Sequence, residues 1–372
     1  MTALRTSGGM TGEGSHRGAA GFSLIEVLIS VFVLALGLLG VAAVFPAVVR
    51  QQRAATDAVQ GISIQRSVEQ LLMSHQKLSK GNQRDLSGQI TDRRGWGTLA
   101  ADASFSADGS WGEANLVTTD TPASPGVTMN KATGTMFVGR PDGGPDNSDV
   151  SFITIPVAER LVPQPNNPAG IEPRFVWDFV ARRVPAGSAS NLRTAALREA
   201  GLDDDTIQLA VFVRRIDAGI RPPAGLRLAD VLTGRGVINP QDRRLPVAAE
   251  QNGRPRYDGR VADGGGYSTI ERRAYSVVGT APNVDPSLII DTEATNDQMG
   301  QYFRQINQQF VDDLGVSHRV VEIVRDSANV VTGLRIDPPL PADLASAGWG
   351  PDRYMLFTPQ IPAAVSVINV KR

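Results

Sequence analysis

The chain has 372 residues and no cysteine. A disulfide framework is thereby excluded, as is any metal or redox site built on thiolates. Lysine is almost missing: Lys77, Lys80, Lys131 and Lys371 are the only ones, so the basic charge is nearly all arginine. The formal net charge is −1. No overall field points to nucleic acid, and none is expected as a partner. Histidine is scarce too, and only His75 and His318 follow residue 21. There is no Gly-x-Ser-x-Gly elbow, no His-Glu-x-x-His and no phosphate loop ending in Gly-Lys-Ser/Thr. Gly95-Trp96-Gly97-Thr98-Leu99-Ala100 fits a loose dinucleotide pattern, but it follows Thr91-Asp92-Arg93-Arg94 rather than a strand and is set aside. Two acidic clusters, Asp142/Asp146/Asp149 and Asp203-Asp204-Asp205, match no ligand template and read as turn and helix-end charge. No catalytic residue, metal site or cofactor is expected.

What is present in abundance is one apolar run. From Phe22 through Val49 a single side chain is ionisable, Glu26. A helix rises ~1.5 Å per residue, and a bilayer core of ~30 Å needs ~20 apolar residues. The run is long enough to span. A carboxylate inside it costs several kcal/mol unless it meets a partner. An ordinary secretory signal has an apolar core of about 7–15 residues with a small-residue cut site after it. Here the run is longer and the small residues precede it, so the helix is expected to be kept. A plain anchor with Glu26 snorkelling to the headgroups explains the glutamate, but not the glycine, phenylalanine and serine in register before it.

The stretch Gly21-Phe22-Ser23-Leu24-Ile25-Glu26 resembles the N-terminal signature of type IV prepilins and type II secretion pseudopilins. Leu34-Ala35-Leu36-Gly37-Leu38-Leu39-Gly40 is most similar to PilV-type minor pilins. The resemblance covers residues 21 to about 60. It implies that a prepilin peptidase cuts after Gly21, that Phe22 becomes an N-methylated terminus, and that Glu26 guides filament assembly. Gly37, Gly40 and Pro46 are then positions where the helix loosens or packs closely against sister helices. Cleavage would create an amine on Phe22 at the membrane depth of Glu26, and that amine on a neighbouring subunit is the natural partner for the acid. The resemblance places the leader in the cytoplasm and the globular part outside. Arg5 and Arg17 against Glu13 agree, whereas Arg50 and Arg53 blunt the argument. Met10 is an alternative start to Met1.

After Arg50 the chain reads as an amphipathic helix to about Ser79. Ala55, Val59 and Ile62 form one stripe; Ile64, Val68 and Leu71 form another, about half a turn round. The apolar face thus switches near Gly61, with the upper stripe assigned to filament neighbours and the lower to the chain's own domain, unless the helix breaks there. Residues 80–171 read as loops with short strands at Met136-Phe137-Val138 and Phe152–Ile155. Alternation at Phe175–Arg182 and Ile207–Arg214 predicts half-buried strands, with a short helix between them at Asn191–Ala200 capped by Asn191. Residues 216–268 are Gly/Pro/Arg-rich. Further strands are expected at Ala274–Val278, Arg319–Val324, Leu334–Asp337, Tyr354–Thr358 and Val365–Val370. Met299, Phe303, Ile306 and Phe310 predict a helix running into a hairpin that turns at Asp312-Asp313-Leu314-Gly315. The arginine pairs at 182–183, 214–215, 243–244 and 272–273 read as solvated strand ends and loop charges.

The expected fold is α+β. Its parts are a leader at 1–21, a membrane and assembly helix at 22–49, an amphipathic continuation at 50–80, and a β-rich extracytoplasmic domain at 81–372. The resemblance implies a minor pilin or pseudopilin held in the inner membrane and then in a pilus or pseudopilus, at priming or at the tip. Its partners would be other pilin subunits, the prepilin peptidase, the inner-membrane assembly platform and membrane lipid. Two alternatives stay open: a type II secretion pseudopilin, and a membrane-tethered ligand-binding module or enzyme.

Overall fold

The computed structural model describes residues 23–74, 83–84, 90–92, 96, 99, 105–106, 108–112, 115–117, 126–130, 135–140, 151–164, 171–184, 192–202, 206–216, 270–280, 283–293, 298–345, 353–358 and 361–371. The Gly21–Phe22 bond, His75, both Asp clusters, Asn191, the 243–244 arginine pair and residues 217–269 lie outside them. The fold is α+β: a long N-terminal helix followed by a strand-rich domain. The chain divides into two units, 1–56 and 57–372.

Helix α1 (Leu24–Ser74) runs unbroken through Gly37, Gly40, Pro46 and Gly61. In the first unit its apolar side chains are exposed on every side, from Leu24 at 80% to Phe45 at 65%. Such a surface is stable in hydrocarbon and not in water, and the helix is long and apolar enough to cross a membrane.

In the second unit the remainder of α1 packs on sheets. The strands, in chain order, are β1 (Gln83–Arg84), β2 (Ile90–Asp92), β3 (Asn115–Val117), β4 (Gly126–Asn130), β5 (Met136–Arg140), β6 (Ser151–Ile155), β7 (Leu161–Val162), β8 (Phe175–Arg183) and β9 (Thr206–Arg215). They continue with β10 (Glu271–Thr280), β11 (Asn283–Asp291), β12 (Gln309–Val311), β13 (Ser317–Arg325), β14 (Val331–Asp337), β15 (Tyr354–Phe357) and β16 (Ala364–Lys371). Short helices α2 (Val157–Arg160), α3 (Leu192–Glu199), α4 (Gln298–Phe303) and α5 (Ala342–Ala345) intervene. One sheet has the order β3-β4-β5-β6, a second β16-β9-β8-β7, and β10-β11-β14-β13-β12-β15 close into a barrel; β1 and β2 form a separate ribbon.

The β8–β9 pair is the middle layer. Phe175, Trp177, Phe179 and Ala181 with Ile207, Leu209, Val211 and Val213 form one core with Val68 and Leu72 of α1 and with Val127, Met136 and Ile153 of the first sheet. On the opposite face Val180, Ala210 and Phe212 pack against Val311 and Leu356 of the barrel. The alternation located both strands, but they are buried on both faces rather than half-buried. The reason is that the barrel covers the second face, where Val180, Ala210 and Phe212 pack against it.

The charges on that second face are buried in pairs. Asp178 is clamped between Arg160 and Arg214, each with a fully buried side chain. Arg182 is also fully buried, and Arg273 is ion-paired with Asp291 at 2.8 Å. The reading of the arginine pairs as solvated is therefore corrected for Arg182, Arg183, Arg214 and Arg273. Burial of a guanidinium is tolerated here because a carboxylate, a carbonyl or a ring faces it.

The switch of faces along α1 is observed. Val68 and Leu72 are buried, with Ile64 and Leu71 packed beside them, whereas Val59 and Ile62 are exposed. Trp96 Nε1 donates to Leu72 O at 3.3 Å, satisfying one of the last helical carbonyls. Gly61 does not break the helix. It lets α1 lie against Ala363, whose Cβ and carbonyl carbon would sit 2.8 and 2.9 Å from a Cβ added at 61. Asp57 and Arg215 pair at 2.5 Å one turn earlier.

In the barrel, Phe303, Phe310 and Phe357 fill the interior; Phe303 stacks on Phe310 with centroids 4.5 Å apart. The helix running into a hairpin is present, as α4 followed by β12 and β13. Strand β11 was not foreseen. It contains Pro286, which sits where the register slips between Val277 opposite Ile289 and Val278 opposite Asp285, a bulge that tolerates proline.

Two substitutions test this architecture. Gly61→Val should destabilise the globular domain by about 1–3 kcal/mol, read by chemical denaturation of the full chain in detergent. Gly40→Val, with open space around it, should leave that stability unchanged. Asp178→Ala strands two buried guanidinium groups and should cost about 3–5 kcal/mol in the same assay.

Candidate functional site

The N-terminus of α1 begins Ser23-Leu24-Ile25-Glu26. A hydroxyl residue at the N-cap with a glutamate three residues on is a capping box, because each can satisfy a backbone N–H of the other. The structure has this arrangement. Ser23 N–H donates to Glu26 Oε2 at 3.1 Å, and Glu26 N–H lies 3.4 Å from Ser23 Oγ. Glu26 N–H also donates to Ser23 O at 3.0 Å. One turn on, Ser30 Oγ donates to Glu26 O at 2.7 Å.

The acid is therefore not without a partner inside the single chain. One carboxylate oxygen serves the helix start, where the macrodipole favours negative charge. The side chain nevertheless stays exposed. The serine–x–x–glutamate spacing ahead of an apolar run is the local sequence signal for this capping role of Ser23. Gly37 and Gly40 have nothing within 4 Å of a built Cβ, and Pro46 lies within the continuous helix. These positions make no use of the chain's own packing. Gly21 and Phe22 lie outside the described residues.

No group of three or more His, Asp or Glu side chains arranged to hold a metal is found among the described residues. His318 is buried in the barrel wall, with Nδ1 2.7 Å from Pro338 O and Nε2 3.0 Å from Asp312 Oδ2. Both ring nitrogens are occupied by the protein's own acceptors, which is a structural role.

Residues 16–42 match the family model of the prokaryotic N-terminal methylation motif. No match to the chain was found among curated proteins or among solved structures. This N-terminal match supports a type IV prepilin-like protein, a pilin-like or pseudopilin precursor. The motif and the exposed apolar helix fit a single-pass inner-membrane anchor. The motif also points in general to processing by a prepilin peptidase and to other pilin subunits as partners.

Ser23→Ala should loosen the start of the helix by about 0.5–2 kcal/mol. Amide exchange at residues 24–27 of the full chain in micelles should rise several-fold, and Ser23→Thr should keep the wild-type protection.

Proposed function

We propose that this chain is a minor pilin or pseudopilin of PilV type. The peptidase cuts between Gly21 and Phe22, and the new terminus at Phe22 is N-methylated. The amine of Phe22 in one subunit then pairs with Glu26 of its neighbour as the helices assemble. The leader lies in the cytoplasm and the strand-rich domain outside it. The subunit enters a pilus or pseudopilus at priming or at the tip, delivered by the inner-membrane assembly platform. Gly37, Gly40 and Pro46 serve contact or bending between sister helices.

The observation that carries this reading is the stretch 24–49 of α1, apolar on every side, with the one acid of that stretch in the first turn and a methylation motif overlapping it. The large globular part supports a structural role. Its barrel is filled with side chains, and its core includes Val68 and Leu72 of α1. We infer no catalytic activity for it. A type II secretion pseudopilin uses the same N-terminal chemistry, and the genes beside this one distinguish the two machines.

Mass spectrometry of the membrane fraction should find a mature chain that begins at methylated Phe22. Glu26→Val should insert in the membrane and be cleaved, yet be lost from filaments. Wild-type incorporation of that variant would refute the pairing.

A further inference from the structure

Open sheets leave edges, and most of the edges here are closed or guarded. The six barrel strands pair all the way round. In the middle sheet, of order β16-β9-β8-β7, the β7 edge is two residues long and runs into Pro163. In the first sheet the edge strands are β3, three residues long, and β6, five residues long and ended by Pro156. Short strands and prolines keep an edge from recruiting another chain. Strand β16 has neither device. It pairs with β9 over eight residues with no slip in register. It holds no proline, and no charge before Lys371.

The neighbouring strands decide which backbone groups β16 offers. At the two ends of the β8–β9 pairing, Ile216 N–H donates to Arg174 O at 2.7 Å and Val184 N–H to Thr206 O at 3.2 Å. Even-numbered residues of β9 therefore bond to β8, and odd-numbered ones face β16. Their partners there are Ala364, Ser366, Ile368 and Val370. Val365, Val367 and Asn369 turn their N–H and C=O groups the other way. Among the described residues none of these outward groups has a hydrogen-bond partner. The Asn369 side chain is engaged with β9, where its Oδ1 accepts from Gln208 Nε2 at 2.8 Å. Both faces of the strand are apolar. Ala364 and Ile368 border the core that includes α1, and Val365 and Val367 border the core that includes the barrel.

We propose that β16 is a docking edge, onto which an extended segment of another protein adds as a fifth strand of the middle sheet. A row of outward donors and acceptors on alternate residues is matched by a β-strand, whose own groups have the same spacing. The incoming segment lies beside Ser366 and Ile368 on one face and beside Val365 and Val367 on the other. It is therefore uncharged and apolar on both faces. A second copy of β16 does not fit. Two like edges pair antiparallel about a two-fold axis normal to the sheet. Helix α1 lies along that sheet, from Gly61 against Ala363 to Val68 and Leu72 in the core. The two-fold reverses this helix, which two chains anchored in one membrane by the same end cannot do.

The probe is a synthetic peptide with the sequence of β16, Ala364 to Lys371, which carries no α1 and escapes that constraint. Amide exchange of the full chain in micelles reads its docking. Without peptide, Val365, Val367 and Asn369 should exchange freely, whereas Ser366, Ile368 and Val370 are protected. Saturating peptide should slow Val365 and Val367 about tenfold. Val367→Pro removes an outward N–H that the fold does not use. It should keep the protection of Ile368 and Val370 and abolish the effect of the peptide. Outward amides already protected in the chain alone would overturn the proposal, because the edge is then covered, by a second copy if the chain also sediments as a dimer. Peptide that leaves Val365 and Val367 exchanging freely would overturn it as well, and this wild-type result decides even where the proline variant does not fold. A folded Val367→Pro chain that responds like the wild type would do the same.

Discussion

One helix has to satisfy two solvents, and the rest of the molecule follows from how it does so. Up to Phe45 the surface of α1 is apolar all round and unpaired within the chain. From Ile64 onward it is amphipathic and shares a core with two sheets. In the first region polar groups are satisfied within the helix, because hydrocarbon offers no partner. The capping box at Ser23 and Glu26 does this for the first turn, where backbone N–H groups have no helical acceptor. The acid is thereby held at the start of the helix.

The second region depends on a sheet with no wet face. The β8–β9 hairpin takes the helix on one side and the barrel on the other. A two-sided core usually reads as continuous apolar sequence. Here Asp178, Arg182 and Arg214 interrupt one face, and each is met by a polar group: Asp178 by Arg160 from α2 and by Arg214 across the strand pair, Arg182 by Asp313 O from the hairpin turn. Such pairs add little net stability over apolar residues but penalise any other arrangement, since every wrong register leaves a buried charge alone. They fix how barrel and sheet meet.

This explains which parts were legible in the sequence. Local periodicity located α1, its change of face, the strands β8 and β9, and the α4-to-β13 hairpin, because spacing along one element reports its own buried side. The burial of Arg182 and Arg214 was not legible, since their partners lie far away in sequence. Barrel closure between β10 and β15 and the parallel pairing of β3 with β4 are likewise non-local. Strand β11 was hidden by Pro286, whose bulge depends on β10 opposite. At the N-terminus, Gly21, Phe22 and Glu26 were read as an ordered motif and the family match covers them. The cap formed by Ser23 is also local, carried by the serine–x–x–glutamate spacing itself.

The central claim is that Glu26 of one subunit meets the freed amine of another. Zero-length carbodiimide coupling of assembled filaments, followed by peptide mass spectrometry, tests it most directly. The account predicts an amide joining Phe22 of one chain to Glu26 of the next. Filaments of mature subunits that yield no such link, or that link Phe22 to a different carboxylate, would contradict it.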